Sequence, residues 1–271
     1  MNYRKTIFLT AYSASIAHIA SAFSIVEILE VLYKEKVLKY DANNPNWEDR
    51  DRFILSKGHG SLALYTMLSE VGFFSKDLLK TFSKPNSVLG GEPCIPNIPG
   101  VEATTGSLGH GLSLAVGMAL AKKIDNKKEK IYVLLGDGEC EEGTIWEAVM
   151  FAVHYKLDNL IIIVDCNKIQ KMGTLKSIMS IDSWKDKFNA FGCEVVEVDG
   201  HNTSELKSAF KQKNVNKPLV ILADTIKGKG VSIVENDPRW HWRLPNKKEL
   251  KIFMKELNIS EEEIEECKKL I

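Results

Sequence analysis

The chain has 271 residues, and its 36 Lys+Arg balance 36 Asp+Glu, so the formal charge is zero. That balance removes the electrostatic case for nucleic acid or an anionic membrane as partner. At 44% hydrophobic and 27% charged, the composition is that of a soluble globular protein with a large core, and no apolar stretch approaches the ~20 residues that span a bilayer.

From Thr6 to Lys36 apolar residues recur at helical spacing, with Phe23, Val26, Leu29 and Leu32 on one face, which predicts a long amphipathic helical region. The start resembles a signal peptide, but Tyr12, Ser13 and Ser15 interrupt its apolar run, so no leader is expected. After a polar connector, Arg52 to Ser56 is predicted as a short buried strand ending in Lys57-Gly58-His59-Gly60. Helices follow over Ser61–Val71 and Lys76–Ser83, then a Pro/Gly-rich segment from Pro85 to Gly106 whose length marks it as functional or mobile. The remainder alternates. Helices are expected over Leu108–Lys123, Glu141–Tyr155, Trp184–Phe191 and Thr203–Lys213, with strands at Ile131–Leu135, Leu160–Val164, Glu194–Val198 and Leu219–Ala223. The acidic run Glu261–Glu266 is expected to be a solvated helix face. Apolar strands alternating with helices predict an α/β fold, a single domain over 1–271 with a central parallel sheet covered by helices on both faces.

The five cysteines, Cys94, Cys140, Cys166, Cys193 and Cys267, are scattered, with no Cys-x-x-Cys pair and no zinc spacing. A reducing, cytoplasmic location is expected.

In such sheets ligands sit beyond the carboxyl ends of the strands. Gly136-Asp137-Gly138-Glu139 follows one predicted strand and Asp165-Cys166-Asn167-Lys168-Ile169 ends the next, so Asp137 and Asn167 are expected at one edge. A carboxylate, an amide oxygen and a backbone carbonyl are too few oxygens to cage Mg²⁺ alone; a diphosphate would supply the rest. A lone Gly-Asp-Gly is an ordinary turn, and its pairing with Asn167 is what favours a metal–diphosphate site.

Gly136-Asp137-Gly138 with Asn167 resembles the thiamine diphosphate fingerprint. Joined to Ser56-Lys57-Gly58-His59-Gly60, to the run Pro99-Gly100-Val101-Glu102-Ala103-Thr104-Thr105-Gly106-Ser107-Leu108-Gly109, and to Ile226-Lys227-Gly228-Lys229-Gly230-Val231, it resembles the N-terminal half of transketolase over nearly the whole chain. The resemblance implies thiamine diphosphate and Mg²⁺ (or Ca²⁺ or Mn²⁺) as cofactors. By motif, Asp137, Asn167 and the carbonyl of Ile169 would hold the metal. Gly136, Gly138 and Glu139 would bind the cofactor, with Gly106 and Leu108 at its rings. His18, His59 and His241 match channel histidines of the family and are assigned to catalysis, His59 also to the cofactor. Glu142 and Glu147 resemble the acidic pair between the two sites of the transketolase dimer, although a solvated helix face explains them equally well. His110, His154 and His201 are expected to be structural, and Lys227 and Lys229 either neutralise phosphate or belong to a mobile loop.

The family takes its cofactor-activating glutamate and its phosphate-binding arginines from later domains, which this sequence does not show. The expectation is one subunit of a split transketolase, inactive alone, completed by a C-terminal subunit in an α₂β₂ heterotetramer acting on sugars. Three departures bear on substrate. Gly91-Glu92-Pro93 stands where the family usually has Gly-His-Pro, making Glu92 a substrate-selecting candidate that disfavours anions and favours hydroxyls or an amine. Leu108-Gly109-His110-Gly111 replaces Leu-Gly-Gln-Gly, and Ala17-His18-Ile19-Ala20 replaces Gly-His-Pro-Gly. These put the usual pentose phosphates in doubt and leave open ketol transfer in surface-sugar biosynthesis. Lys-Gly-His-Gly and the Thr-Thr-Gly-Ser-Leu-Gly loop disfavour the α chain of a 2-oxo-acid dehydrogenase, and synthesis of deoxyxylulose phosphate is set aside because those enzymes carry all their domains on one chain. Intact Asp137, Asn167 and His59 argue against a non-catalytic cofactor-binding module.

Overall fold

Strands that are apolar along their whole length must be covered on both faces, and the computed structural model, which describes residues 2–15 and 18–270, has that arrangement. Five strands, β1 (Arg52–Leu55), β2 (Ile131–Gly136), β3 (Leu160–Cys166), β4 (Glu194–Asp199) and β5 (Leu219–Asp224), form one parallel sheet in the order β1-β2-β3-β5-β4. All five lie where the hydrophobic pattern predicts them.

The eleven helices among the described residues are α1 (Tyr3–Ala14), α2 (Ile19–Phe23), α3 (Val26–Tyr33), α4 (Ser61–Glu70), α5 (His110–Ile124), α6 (Gly143–His154), α7 (Leu175–Ile178), α8 (Trp184–Phe191), α9 (Thr203–Phe210), α10 (Lys247–Leu257) and α11 (Glu261–Leu270). Alternation along each strand splits the interior in two. Tyr132, Leu134, Ile161, Ile163, Leu219 and Ile221 pack with α1 to α4 and α9 to α11. Ile131, Val133, Leu135, Ile162, Val164 and Leu222 pack with α5, α6 and α8.

The long N-terminal helical region consists of three helices, α1, α2 and α3. Ser15, in the left-handed region at φ 55°, ends α1, and Ser24, which donates to the Ser21 carbonyl at 3.1 Å and to Asp165 Oδ2 at 2.8 Å, separates α2 from α3. Every residue of α2 is buried, so the pattern marks an interior segment rather than a surface helix. The Ala17 departure lies outside the described residues. Lys76–Thr81 is a 3₁₀ segment instead of an α-helix, and Pro85 to Gly106 holds no helix or strand. In α11, Ile264 and Cys267 are buried while Glu261, Glu262, Glu265 and Glu266 are exposed, as expected of a solvated acidic face. Among the described residues no helix is long and apolar enough to cross a membrane.

Candidate functional site

The ends of β2 and β3 stand side by side, Gly136 in register with Asp165. Beyond them Asp137 turns back on its own loop: Oδ1 accepts from the Gly138 amide at 2.8 Å, and Oδ2 from the Lys168 amide. Asn167 Oδ1 accepts from the Ile169 amide at 3.1 Å, and its Nδ2 donates to Asp165 Oδ2 at 2.9 Å. Burial, and then the charge of Asp165, pushes the Asp137 carboxyl up to about 7. A buried carboxylate beside a second one is a place for cations.

Two lysines supply them. Lys57, 1% exposed, pairs through Nζ with the fully buried Asp165, which also accepts from Thr225 Oγ1. Lys57 Nζ donates as well to the Ser21 carbonyl at 3.2 Å, and the Ser21 hydroxyl is buried with no partner among the described residues. Lys227, 2% exposed, donates to the carbonyl of Ile169 at 2.8 Å and to His241 Nδ1 at 3.2 Å. Burial and then Lys57 lower its ammonium to about 8. The structure thus separates the two loop lysines: Lys227 belongs to the site, whereas Lys229 is half-buried.

His18, His59 and His241 form one cluster, with ring centroids 5.3 to 5.9 Å apart. Burial and neighbouring lysines lower all three, His18 to about 4, His241 to about 3 and His59 well below its ordinary value. At neutral pH they are uncharged imidazoles, each with one donor and one acceptor.

Gly106, at φ 134°, lies so close to the turn before α4 that a Cβ on Gly58 would sit 2.8 Å from the Gly106 amide, while a Cβ on Gly106 would strike the Glu92 carboxylate. Only glycine serves at Gly106. Glu92 is held there by its surroundings: Tyr65 donates to its carbonyl at 3.0 Å, Ser61 to the Gly91 carbonyl at 2.6 Å, and the Thr105 amide to Pro93 at 3.1 Å. Leu108 follows in the same loop.

Glu139 is turned inward. Its carboxylate accepts from Ser56 Oγ and from the amides of Gly109 at 2.9 Å and Gly136 at 3.0 Å, tying together the ends of β1 and β2 and the Gly106–Gly109 loop. It positions the turn from behind. Glu142 and Glu147 are exposed at the start and along one side of α6, near exposed Met150, Phe151 and Tyr155. His110 and His154 are exposed, and His201 links elements, paired with Glu27 at 2.9 Å and accepting from the Ile226 amide at 2.8 Å. The structure also brings in Asp165, Lys57 and Ser21, to which the sequence alone assigns no role. The first two have signals in Asp-Cys-Asn and in the lysine of Lys-Gly-His-Gly, whereas Ser21 has none.

Among the described residues no group of three His, Cys, Asp or Glu could hold a metal ion. The oxygens of Asp137, Asn167 and Ile169 nonetheless suit a hard cation that takes further ligands from a phosphate, and the Ile169 carbonyl already holds an ammonium. The residues present therefore fit a metal–diphosphate group. An open cleft of about 1350 Å³ beyond β3, β4 and β5 reaches the same edge, lined by Asp137, Lys168, Ile169, Trp184, His201 and Thr225 among others.

The thiamine diphosphate binding domain of transketolase matches residues 9–264 of this chain. A protein of Phocaeicola vulgatus named as one subunit of an apulose-4-phosphate transketolase is 39% identical over 264 residues, covering 97% of this chain and 93% of that one. A 6-deoxy-6-sulfo-D-fructose transketolase subunit of a Clostridium species is 46% identical over 222 residues, 81% of this chain and 80% of that one. The solved transketolase of Campylobacter jejuni superposes with a TM-score of 0.86 at 32% identity, covering 99% of this chain; the chain spans 45% of that protein. With two cores around a five-stranded parallel sheet and this turn chemistry at its edge, the chain belongs to the transketolase family, as its thiamine diphosphate binding domain.

Proposed function

We propose that the chain is the cofactor-binding subunit of a two-chain transketolase, a transferase that moves a two-carbon ketol unit from a ketose to an aldose. The observation that carries this is the joint placement of Asp137, Asn167 and Ile169 at one strand edge beside the His18–His59–His241 cluster. Thiamine diphosphate, when bound, supplies the nucleophilic carbon and the electron sink for breaking and making the carbon–carbon bond. Asp137, Asn167 and the Ile169 carbonyl would hold Mg²⁺, Ca²⁺ or Mn²⁺, and Lys227 and Gly138 would face the diphosphate. Gly106 and Leu108 supply the wall for its rings, where a side chain at position 106 is excluded. The three imidazoles hydrogen-bond sugar hydroxyls and, being neutral, can take or give a proton there.

Two relatives carry the names of transketolase subunits, and the chain spans 93% of one and 80% of the other, which supports a separate partner bearing the remaining domains. We take that partner to be a transketolase C-terminal subunit, and the assembly to be an α₂β₂ heterotetramer working in the cytoplasm. Those relatives are named for sugars with an anionic group at the far end of the chain. Glu92, against Gly106, lies at the near end, where it favours a donor whose reacting end is uncharged. The test is reconstitution: the pure chain should bind Mg²⁺ and thiamine diphosphate by calorimetry yet transfer no ketol unit until the partner chain is added. Activity of the chain alone would refute the split-enzyme reading.

A further inference from the structure

Of the five tryptophans, Trp242 alone is exposed, at 52%, and its indole stands against the histidine cluster. It meets the His18 imidazole edge-on with centroids 4.1 Å apart, and His18 in turn lies 5.5 Å from His59 and 5.3 Å from His241.

Both chain neighbours of this indole are fixed. His241 accepts from the buried Lys227 ammonium at 3.2 Å. On the other side the Arg243 guanidinium lies 4.0 Å over the ring of Trp240 and pairs with Glu249. Trp240 is buried against Phe253, centroids 5.4 Å apart, and Glu249 closes the capping box with Asn246 that starts α10. The backbone on each side of Trp242 is therefore tied to the interior, and the indole is presented rather than loose.

Binding sites for small molecules combine apolar walls with a few placed polar groups. The imidazoles supply the polar groups. A sugar has hydroxyl edges and also a C–H face, and that face needs an apolar plane, which a half-exposed indole provides while keeping its N–H free to bond. We infer that Trp242 is a specificity-determining wall of the substrate channel, packing its indole on the C–H face of a sugar chain beyond the two carbons at the reacting end. The inference rests on the ketol-transfer reading.

The test uses the reconstituted two-chain enzyme with Mg²⁺, thiamine diphosphate and hydroxypyruvate as donor, and compares two acceptors. Glycolaldehyde is too short to reach the indole, whereas D-ribose 5-phosphate is long enough. Trp242→Ala should raise KM for D-ribose 5-phosphate roughly tenfold, the size of one lost aromatic contact. Trp242→Phe should restore most of this, and the rise in KM should be several-fold smaller for glycolaldehyde than for D-ribose 5-phosphate. D-ribose 5-phosphate should also quench tryptophan fluorescence of the wild-type complex without donor, but not that of Trp242→Phe. An equal rise in KM for both aldehydes overturns the inference, because it marks a general disturbance of the site. So does unchanged KM with weaker association of the two chains in sedimentation, which assigns the indole to the interface. If the wild-type complex transfers to neither aldehyde, from hydroxypyruvate or from the uncharged ketose L-erythrulose, the ketol-transfer reading falls and takes the inference with it.

Discussion

Asp165→Asn is the substitution that isolates what holds the site together. The native carboxylate is fully buried and accepts from Ser24 Oγ at 2.8 Å, from Asn167 Nδ2 at 2.9 Å, from Lys57 Nζ and from Thr225 Oγ1. The pull of those donors, chiefly the Lys57 charge, overcomes burial and holds the Asp165 carboxyl below its ordinary value. An amide of the same shape keeps one acceptor but turns an N–H₂ donor toward donors, and it leaves the Lys57 ammonium buried and uncompensated. Breaking a buried pair from one side costs about 3–5 kcal/mol, a large share of the roughly 5–15 kcal/mol that stabilises a folded domain. With a urea slope of about 3 kcal/mol per M, the unfolding midpoint should fall by about 1–1.7 M. Replacing both charges, Asp165→Asn with Lys57→Met, should recover at least half of that loss, since neither buried charge then lacks a partner. The Asn167 amide also loses the acceptor that turns its oxygen away from β3, so affinity for Mg²⁺ and thiamine diphosphate should weaken roughly 10–100-fold, as for other groups that orient metal ligands. Urea unfolding of the four proteins in the cycle, with calorimetry of cofactor binding, measures both. A single variant within about 1 kcal/mol of wild type, or a double variant that shows the sum of the two single losses, would mean that the Lys57–Asp165 pair does not hold the site together.

Asp137→Asn should leave the metal-free protein at least as stable at pH 8, because a carboxyl raised by burial to about 7 opposes folding above that pH. The same variant should lose the rise in Tm that Mg²⁺ with thiamine diphosphate gives the wild type; a retained rise would remove Asp137 from the metal site. Glu92→His should raise kcat/KM for hydroxypyruvate, whose carboxylate adjoins the reacting carbonyl, roughly tenfold, as expected from removing one like charge at close range. An unchanged donor preference in steady-state assays would mean that Glu92 is not a selector. Burial alone would push the Glu27 carboxyl up, but hydrogen bonds from His201 and Arg4 overcome it and hold the group at about 2 against an ordinary 4.5. That depression is worth about 3 kcal/mol, present above pH 4.5 and lost as pH falls through 2. Glu27→Gln should therefore cost about that much in denaturant unfolding at pH 7 and progressively less below pH 4; a cost independent of pH would show that the charge is not what matters.

The sheet was legible because its strands announce themselves: Leu160 to Val164 is apolar at every position, and only a strand buried on both faces tolerates that run. The Gly-Asp-Gly turn and Asn167 were legible for the same reason, since their place follows from where the strands end. The N-terminal region is legible as helical but not as three helices, because Ser15 ends α1 and Ser24 separates α2 from α3 through backbone conformation and side-chain bonds that periodicity does not encode. The helix α10 was missed although Asn246 and Glu249 spell a capping box, a signal that needed only to be sought beyond the last strand. The buried lysines were hardest to read. In sequence Lys57 and Lys227 are lysines beside glycines, like many on a surface, and only the fold reveals that each meets an oxygen from β3 or the loop after it.

Those lysines also explain how the edge exists before any ligand arrives. Three buried carboxylates, Asp137, Glu139 and Asp165, stand with two ammoniums, Lys57 and Lys227; Glu139 is met by Ser56 and two backbone amides, and the three imidazoles are kept neutral by burial. The balance is nearly even, which is what lets so many charged groups sit at a few per cent exposure or less. It is uneven in one respect: Asp165 takes the whole of Lys57, whereas Lys227 is bonded to a neutral carbonyl and a neutral imidazole, so Asp137 is left to backbone amides alone. Among the described residues one carboxylate has no hydrogen-bonded cation and one ammonium no hydrogen-bonded anion, and on neighbouring loops they form a dipole across the edge. A divalent ion beside Asp137 and a phosphate beside Lys227 would satisfy both at once, and neither would do so without the other. On this argument the metal and the diphosphate bind as a pair, with Mg²⁺ adding little to the stability of the protein unless the diphosphate is present.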